Sequence, residues 1–324
     1  MSRPALIVTV ALASYALFNI AASLACALAW RVSLANRAYA SAVQRAAALI
    51  LFRSAPVAAA LAITTIAVVP AFSIFEPYHA SETAGPLVMA LAAIALMQFG
   101  AASAVAAASM WRTRDAARAW LRRAVPLDVD PPAGVPAYVI DSLAPIVALV
   151  GVFNPRLVAA RSVVEACSPG ELNAIVAHER GHLHSRDNLK RWLMACAPDA
   201  LRWTPVHHEI AAAWHNAAED AADDAATSGD AASRVNLAAL IVKIARLAPG
   251  PVWREATVSP FIEPDGLNRR VRRLLAGSPD AHARHRKMWP ALVAVSAVAA
   301  ALLLQPTALE RLYLATEAII RFGR

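Results

Sequence analysis

The run Ala177-His178-Glu179-Arg180-Gly181-His182 decides how this chain is read. Its H-E-x-x-H pattern sets two histidines four residues apart. On a helix such residues stand about 40° apart around the axis and one turn up. His178 and His182 can therefore offer their imidazoles to a single zinc ion. Glu179 follows the first histidine directly, so it reaches beside the ion and not onto it. There it can take a proton from a water polarised by the ion, as that water attacks a carbonyl. Short patterns recur by chance, and the competing reading is an exposed polar helix face. The flanking residues weigh against that reading.

Ser168-Pro169-Gly170-Glu171 reads as a helix start: Ser168 at the N-cap, Pro169 in the first turn, Glu171 completing a capping box. An apolar stripe follows at Leu172, Ile175 and Val176, and resumes at Leu183, Leu189, Trp192 and Leu193. One long helix is expected, stopped by Pro198. Its histidines are partly buried and need partners for their polar atoms, which a metal supplies.

Composition places this helix in a membrane protein. Of 324 residues, 58% are hydrophobic and 17% charged, with a mean hydropathy of +0.47; globular chains carry about 25% charge. Three transmembrane helices are read at about 4–30, 54–75 and 86–110, and a fourth at 288–305. The first run is too long for a signal peptide. Arg31, Arg37, Arg45 and Arg53 lie around the first loop, and Arg112, Arg114, Arg118, Arg122 and Arg123 follow the third span. The loop between them carries Glu76 and Glu82 and no Lys or Arg. By the positive-inside rule the N-terminus is outside, the region 112–287 is cytoplasmic, and the tail 306–324 is extracytoplasmic. The net charge of +8 thus fits membrane topology and not nucleic-acid binding. Cys26, Cys167 and Cys196 form no C-x-x-C and no disulfide framework.

Four prolines between Pro126 and Pro136 mark a linker. Short β-like runs at Tyr138, Ile146–Val150 and Arg156–Val158 predict a small strand pair beside the zinc helix. It is either a structural hairpin or an edge that holds an extended substrate. A helix from Val206 to Ala226 carries Glu219 and Asp223 on one face. A site with two helical histidines needs a third ligand from elsewhere, and Glu219 is the expected one. Asp187 and Asp223 are expected to orient ligands by hydrogen bonds. For the oxyanion donor His207, His208, His215 and Arg180 stay open. Two more helices are expected, amphipathic at 232–247 and basic at 267–275. The basic one either packs on the catalytic domain or lies against anionic headgroups. The fold class is a mainly α membrane protein, with four transmembrane helices and a cytoplasmic α+β metallopeptidase domain.

The series from Ile175 to Leu189, with Asp187 and Asn188 after the second histidine, resembles the zinc helix of BlaR/MecR-type membrane metallopeptidases (peptidase family 56, gluzincin-like). Glu219 with Asp223, the segment Pro145–Pro155 and Leu267-Asn-Arg-Arg-Val are similar to later parts of that family. The likeness covers about residues 138–276. It implies a zinc endopeptidase at the cytoplasmic membrane face, acting on a protein or peptide and in contact with lipid. Its best-known members respond to β-lactams and lead to cleavage of a DNA-binding repressor, without this protein binding nucleic acid itself. Two departures stand out: no penicillin-binding sensor domain is expected after the fourth span, and His184-Ser185 stand where a basic pair is common. An HtpX-like quality-control protease and a non-catalytic metal-binding regulator are the alternatives. An intact Glu179 argues against the regulator.

Overall fold

The computed structural model describes residues 1–33, 41–76, 84–127, 134–142, 144–247, 258–260 and 266–277, with single positions 307, 310, 311, 314 and 318. The expected fourth span at 288–305 lies outside the described residues, as does most of the tail after it.

Three apolar helical rods form the membrane part. They are α1 (Arg3–Ser33), then α2 (Ala42–Ile63) continued by α3 (Val69–Phe75), then α4 (Pro86–Leu121). All three rods are long and apolar enough to cross a membrane. The Ser41 side chain caps α2 by accepting from the Gln44 N–H. A π-helical turn, Thr64–Val68, joins α2 to α3 directly before Pro70, which has no N–H to give and crowds the preceding turn. Ala16, Ala60 and Ala95 are fully buried where α1 meets the other two rods. Two rods outrun their expected spans. The first three turns of α2 pack on the helix carrying Glu219, and the last three turns of α4 leave the bundle to cover a sheet.

That sheet has five strands in the order β1-β2-β4-β3-β5: Val125–Pro126, Ala137–Ile140, Arg156–Ala160, Val147–Val150 and Val258–Pro260. It is larger than the expected strand pair. β2 and β4 run parallel and the other neighbours antiparallel. The expected linker therefore begins with a residue pair already in the sheet. Successive side chains point to opposite faces. Val147, Leu149, Leu157 and Ala159 face the main core, with Ile175 and Val176 of α6 (Pro169–Ser185) and Leu240, Ile241 and Ile244 of α9 (Ala231–Arg246). Ala148, Val150 and Val158 face the other way, against Ala117 and Trp120 of α4. One rod thus serves both the bundle and the sheet. The short α5 (Arg161–Ala166) links β4 to α6.

The predicted long helix is two. Ser168 and Glu171 form the capping box, but α6 ends at Arg186, which adopts φ 53° and starts α7 (Asp187–Ala195). On an unbroken helix a residue five places on points about 140° away. The left-handed residue at 186 swings Asp187 back to His182. After α7 the chain makes a turn with a 3-10 segment, Ala200–Trp203, and enters α8 (Pro205–Thr227). This turn penetrates the bundle. Tyr15 Oη donates to the Pro198 carbonyl at 2.5 Å, and the Ala200 N–H donates to Asn19 Oδ1 at 2.9 Å. Gln98 donates to the same oxygen at 3.3 Å. Arg53 of α2, 1% exposed, pairs with the fully buried Asp199 and donates to the Met194 carbonyl and to His207 Nδ1. Arg31 and Arg45, read as topology signals, also pair with α8, through Glu209 and Asp220.

Candidate metal centre

α6 and α8 cross closely because Gly181 faces Ala222: a Cβ on residue 181 would stand 3.1 Å from the Ala222 Cα. This approach brings α8's acids to the two histidines. His178 Nε2 and His182 Nε2 are 3.1 Å apart. Glu219 Oε1 is 3.3 Å from His182 Nε2, and Oε2 is 3.6 Å from His178 Nε2. Ligand atoms of the three residues lie within 4.8 Å of one another, and all three side chains are buried. The run 219–224 is therefore not a solvated acidic face: Glu219, Asp220 and Asp223 are 2%, 1% and 0% exposed.

The outer ring nitrogens are engaged. Asp223 Oδ1 lies 3.0 Å from His178 Nδ1, and Asp187 Oδ2 lies 2.8 Å from His182 Nδ1. Asp187 accepts from the Nδ1–H of His182, and Asp223 stands beside Nδ1 of His178, so that both rings turn Nε2 inward. Two inward imidazole nitrogens and a carboxylate at these spacings form a donor set suited to zinc. Asn188 locks the α7 start to the sheet, donating to the Leu149 carbonyl at 2.9 Å and the Gly151 carbonyl at 3.0 Å.

Arg270 of α10 (Leu267–Ala276) completes the cluster. It is 3% exposed, reaches Glu219 Oε2 at 2.9 Å, and forks onto both oxygens of Asp223 at 2.6 and 3.0 Å. Arg269 and Arg273 of the same helix engage Asp220 and Asp224. The basic helix thus packs on α8 and α9. Arg270 was not among the predicted site residues. The signal was present as acids at 219–224 and arginines at 269–273, both at helical spacing, with nothing in the sequence to say that the two runs meet.

Burial opposes ionisation of Asp223, but Arg270 and His178 outweigh it and hold the carboxyl at about 2. Burial acts likewise on Glu219, where Arg270 and His182 keep the carboxyl well below its usual range. For His182 burial disfavours the charged ring, yet Glu219 and Asp187 raise it to about 10. A cation entering between these groups displaces that proton. Glu179 is fully buried, and burial pushes its carboxyl up to about 7, against the pull of His182 and His178.

Of the four oxyanion candidates, Arg180 and His208 are exposed and His207 is bound to Arg53 at the turn. His215 is the one at the cluster. Its Nε2 lies 3.9 Å from Glu219 Oε1, and its Nδ1 is 2.9 Å from Arg191 Nη2. No particular strand was expected as the substrate-holding edge, and β3 carries β5 on its outer side, in the register Leu149↔Ser259.

The sequence model of the family described as BlaR1 peptidase M56 matches residues 3–274, which spans the helical bundle, the sheet and the histidine–carboxylate cluster. No curated protein and no solved structure matches the chain.

Proposed function

The chain belongs to the M56 family of BlaR1 peptidases, and from that premise we propose that it is a zinc endopeptidase cutting peptide bonds at the cytoplasmic membrane face. One observation carries the reading: His178, His182 and Glu219, drawn from two helices, converge on one buried point. These three residues would hold a zinc ion, which would supply Lewis-acid polarisation of a water and of the substrate carbonyl. Glu179, one residue on from the first ligand and fully buried at the cluster, is the general base. It takes the water's proton and passes it to the leaving amine. Asp187 and Asp223 orient the two histidines, and Arg270 sets the carboxylate of Glu219. His215, held by Arg191, donates to the developing oxyanion. The catalytic domain faces the cytoplasm, on the side of the arginines that flank the spans.

The test is Glu179→Gln in detergent-solubilised protein, with metal analysis beside a casein digestion. The variant is expected to keep its zinc and lose cleavage. Cleavage retained in the variant removes Glu179 from the role of base. Zinc without turnover in the wild type, on several substrates, favours a metal-binding regulator.

A further inference from the structure

The left-handed backbone at Arg186 swings Asp187 back to His182, and a glycine would make that turn with less strain. Residue 186 has φ 53° and ψ 43°, a region that glycine and asparagine enter readily and a residue with a long side chain does not. The Arg186 side chain is exposed, and its guanidinium has no hydrogen-bond or ion-pair partner among the described residues. The helix break by itself therefore gives no reason for an arginine.

A cavity at this corner gives one. It has a volume of about 320 Å³ and lies between the β3–β4 hairpin and the junction of α6 with α7. Leu149, Val152 and Leu189 give it an apolar wall, and His182 lines it together with Arg186, Asp187 and Asn188. Asp187 is bonded to His182, and its other oxygen lies 3.4 Å from the Nζ of Lys190. Asn188 is neutral and donates its amide to the Leu149 and Gly151 carbonyls. Arg186 is the charged side chain of this lining that nothing described engages. A guanidinium offers five N–H donors and no acceptor, in a planar fork that fits a carboxylate at two points.

We infer that Arg186 is a specificity residue of the peptidase: it takes the carboxylate of an aspartate or glutamate in the substrate, close to the scissile bond. The scissile carbonyl approaches the inward side of His182, so a neighbouring substrate side chain is the one that enters the cavity beside that ring. An apolar side chain suits the wall of Leu149, Val152 and Leu189. The acid stands within two residues of the cut. A cavity of this volume is about 7 Å across, and an extended chain covers that in two residues at about 3.3 Å each. Asp187 does not compete for Arg186, because its carboxylate already accepts from His182. The inference rests on the peptidase reading above and adds the kind of sequence the site cuts.

The test incubates a peptide library, made by digesting a cell proteome, with detergent-solubilised full-length protein, and sequences the new ends by mass spectrometry. Glu179→Gln sets the background. Wild-type-dependent cuts are expected to carry Asp or Glu within two residues of the bond about fivefold above library frequency, since an exposed ion pair gives little more. Arg186→Glu is expected to exchange that preference for Lys and Arg. Arg186→Gly, which suits the left-handed backbone, is expected to lose it while keeping its zinc. A second arm measures binding of one cleaved sequence to the inactive Glu179→Gln protein, with its acid present or replaced by the amide. The two affinities are expected to differ by the same factor, and to converge when Arg186→Gly is added. Cuts without acid enrichment, or an enrichment that both Arg186 variants keep, overturn the inference and leave the peptidase reading standing. Loss of zinc from Arg186→Gly assigns the side chain to the helix break and overturns the inference too. No wild-type-dependent cut on any peptide removes both.

Discussion

Removing Asp187 tests whether the helix break at Arg186 exists to serve the metal. Asp187 is 3% exposed and accepts from His182 Nδ1 at 2.8 Å; its other oxygen lies 3.4 Å from the Nζ of Lys190. A hydrogen bond to a charged group contributes about 1.5–3 kcal/mol. Lys190 is one-third exposed and adds little. In Asp187→Ala the ring of His182 loses both its orientation and the charge that makes Nε2 a better donor. At about 1.4 kcal/mol per factor of ten, zinc affinity falls about 10- to 100-fold. Asp187→Asn keeps an acceptor without the charge and loses less than tenfold. The assay is zinc competition against a chromophoric chelator, on detergent-solubilised full-length protein at fixed pH. An Asp187→Ala affinity within twofold of the wild type refutes the orienting role. The αL residue at 186 would then be only a way to end a helix.

Two other perturbations act on the helix packing and on the turn. Gly181→Val forces α6 and α8 apart at the 3.1 Å approach to Ala222, at a cost of about 1–3 kcal/mol; zinc stoichiometry and thermal unfolding are both expected to fall, and a variant with full zinc and unchanged unfolding contradicts the packing argument. His207 is held neutral by burial and by Arg53, which depress its ring to about 4. In the unfolded chain it titrates near 6.5, so between these values the unfolded state binds the extra proton. Stability from this group is full above about 6.5 and is lost as pH falls toward 4. His207→Gln is expected to flatten that acid limb in thermal unfolding from pH 7 to 4.5, and an unchanged slope removes His207 as its source.

The sequence made the local chemistry legible and the meeting of distant parts illegible. The capping box at Ser168, the histidine pair, and the Glu219–Asp223 face all follow from spacing within one helix; the capping box is present, and His178, His182 and Glu219 lie together. The strands at 137–140, 147–150 and 156–160 were visible for the same reason, in short apolar runs bounded by Pro and Gly. The break at Arg186 was not, because the apolar periodicity runs through it and a left-handed arginine has no composition signal. Arg53 looked like a loop charge before a span. Its burial against Asp199 depends on a turn inserted from 146 residues away. Hydropathy could not report that either, since the turn is part of the catalytic domain and carries no spanning run of its own.

The placement of the arginines explains why so many acids are buried in one helix. Glu219, Asp220 and Asp223 are each close to fully buried, and isolated carboxylates in such a place would take up protons. Protonated, Glu219 would be a poor ligand and Asp223 a poor acceptor for His178. Arg270 keeps both ionised from within the domain, while Arg45 reaches Asp220 from the membrane rod. Hydrophobic replacements of similar volume often match or exceed such pairs in stability, so stability alone does not account for them. They hold the ligand helix in one register against both the bundle and the domain. α8 is therefore tied in its first turn by His207–Arg53, through the turn before it by Asp199–Arg53, and further along by Asp220–Arg45. A domain carried on a flexible tether would have no use for two ion pairs to the same rod, one of them, Arg53–Asp199, wholly buried.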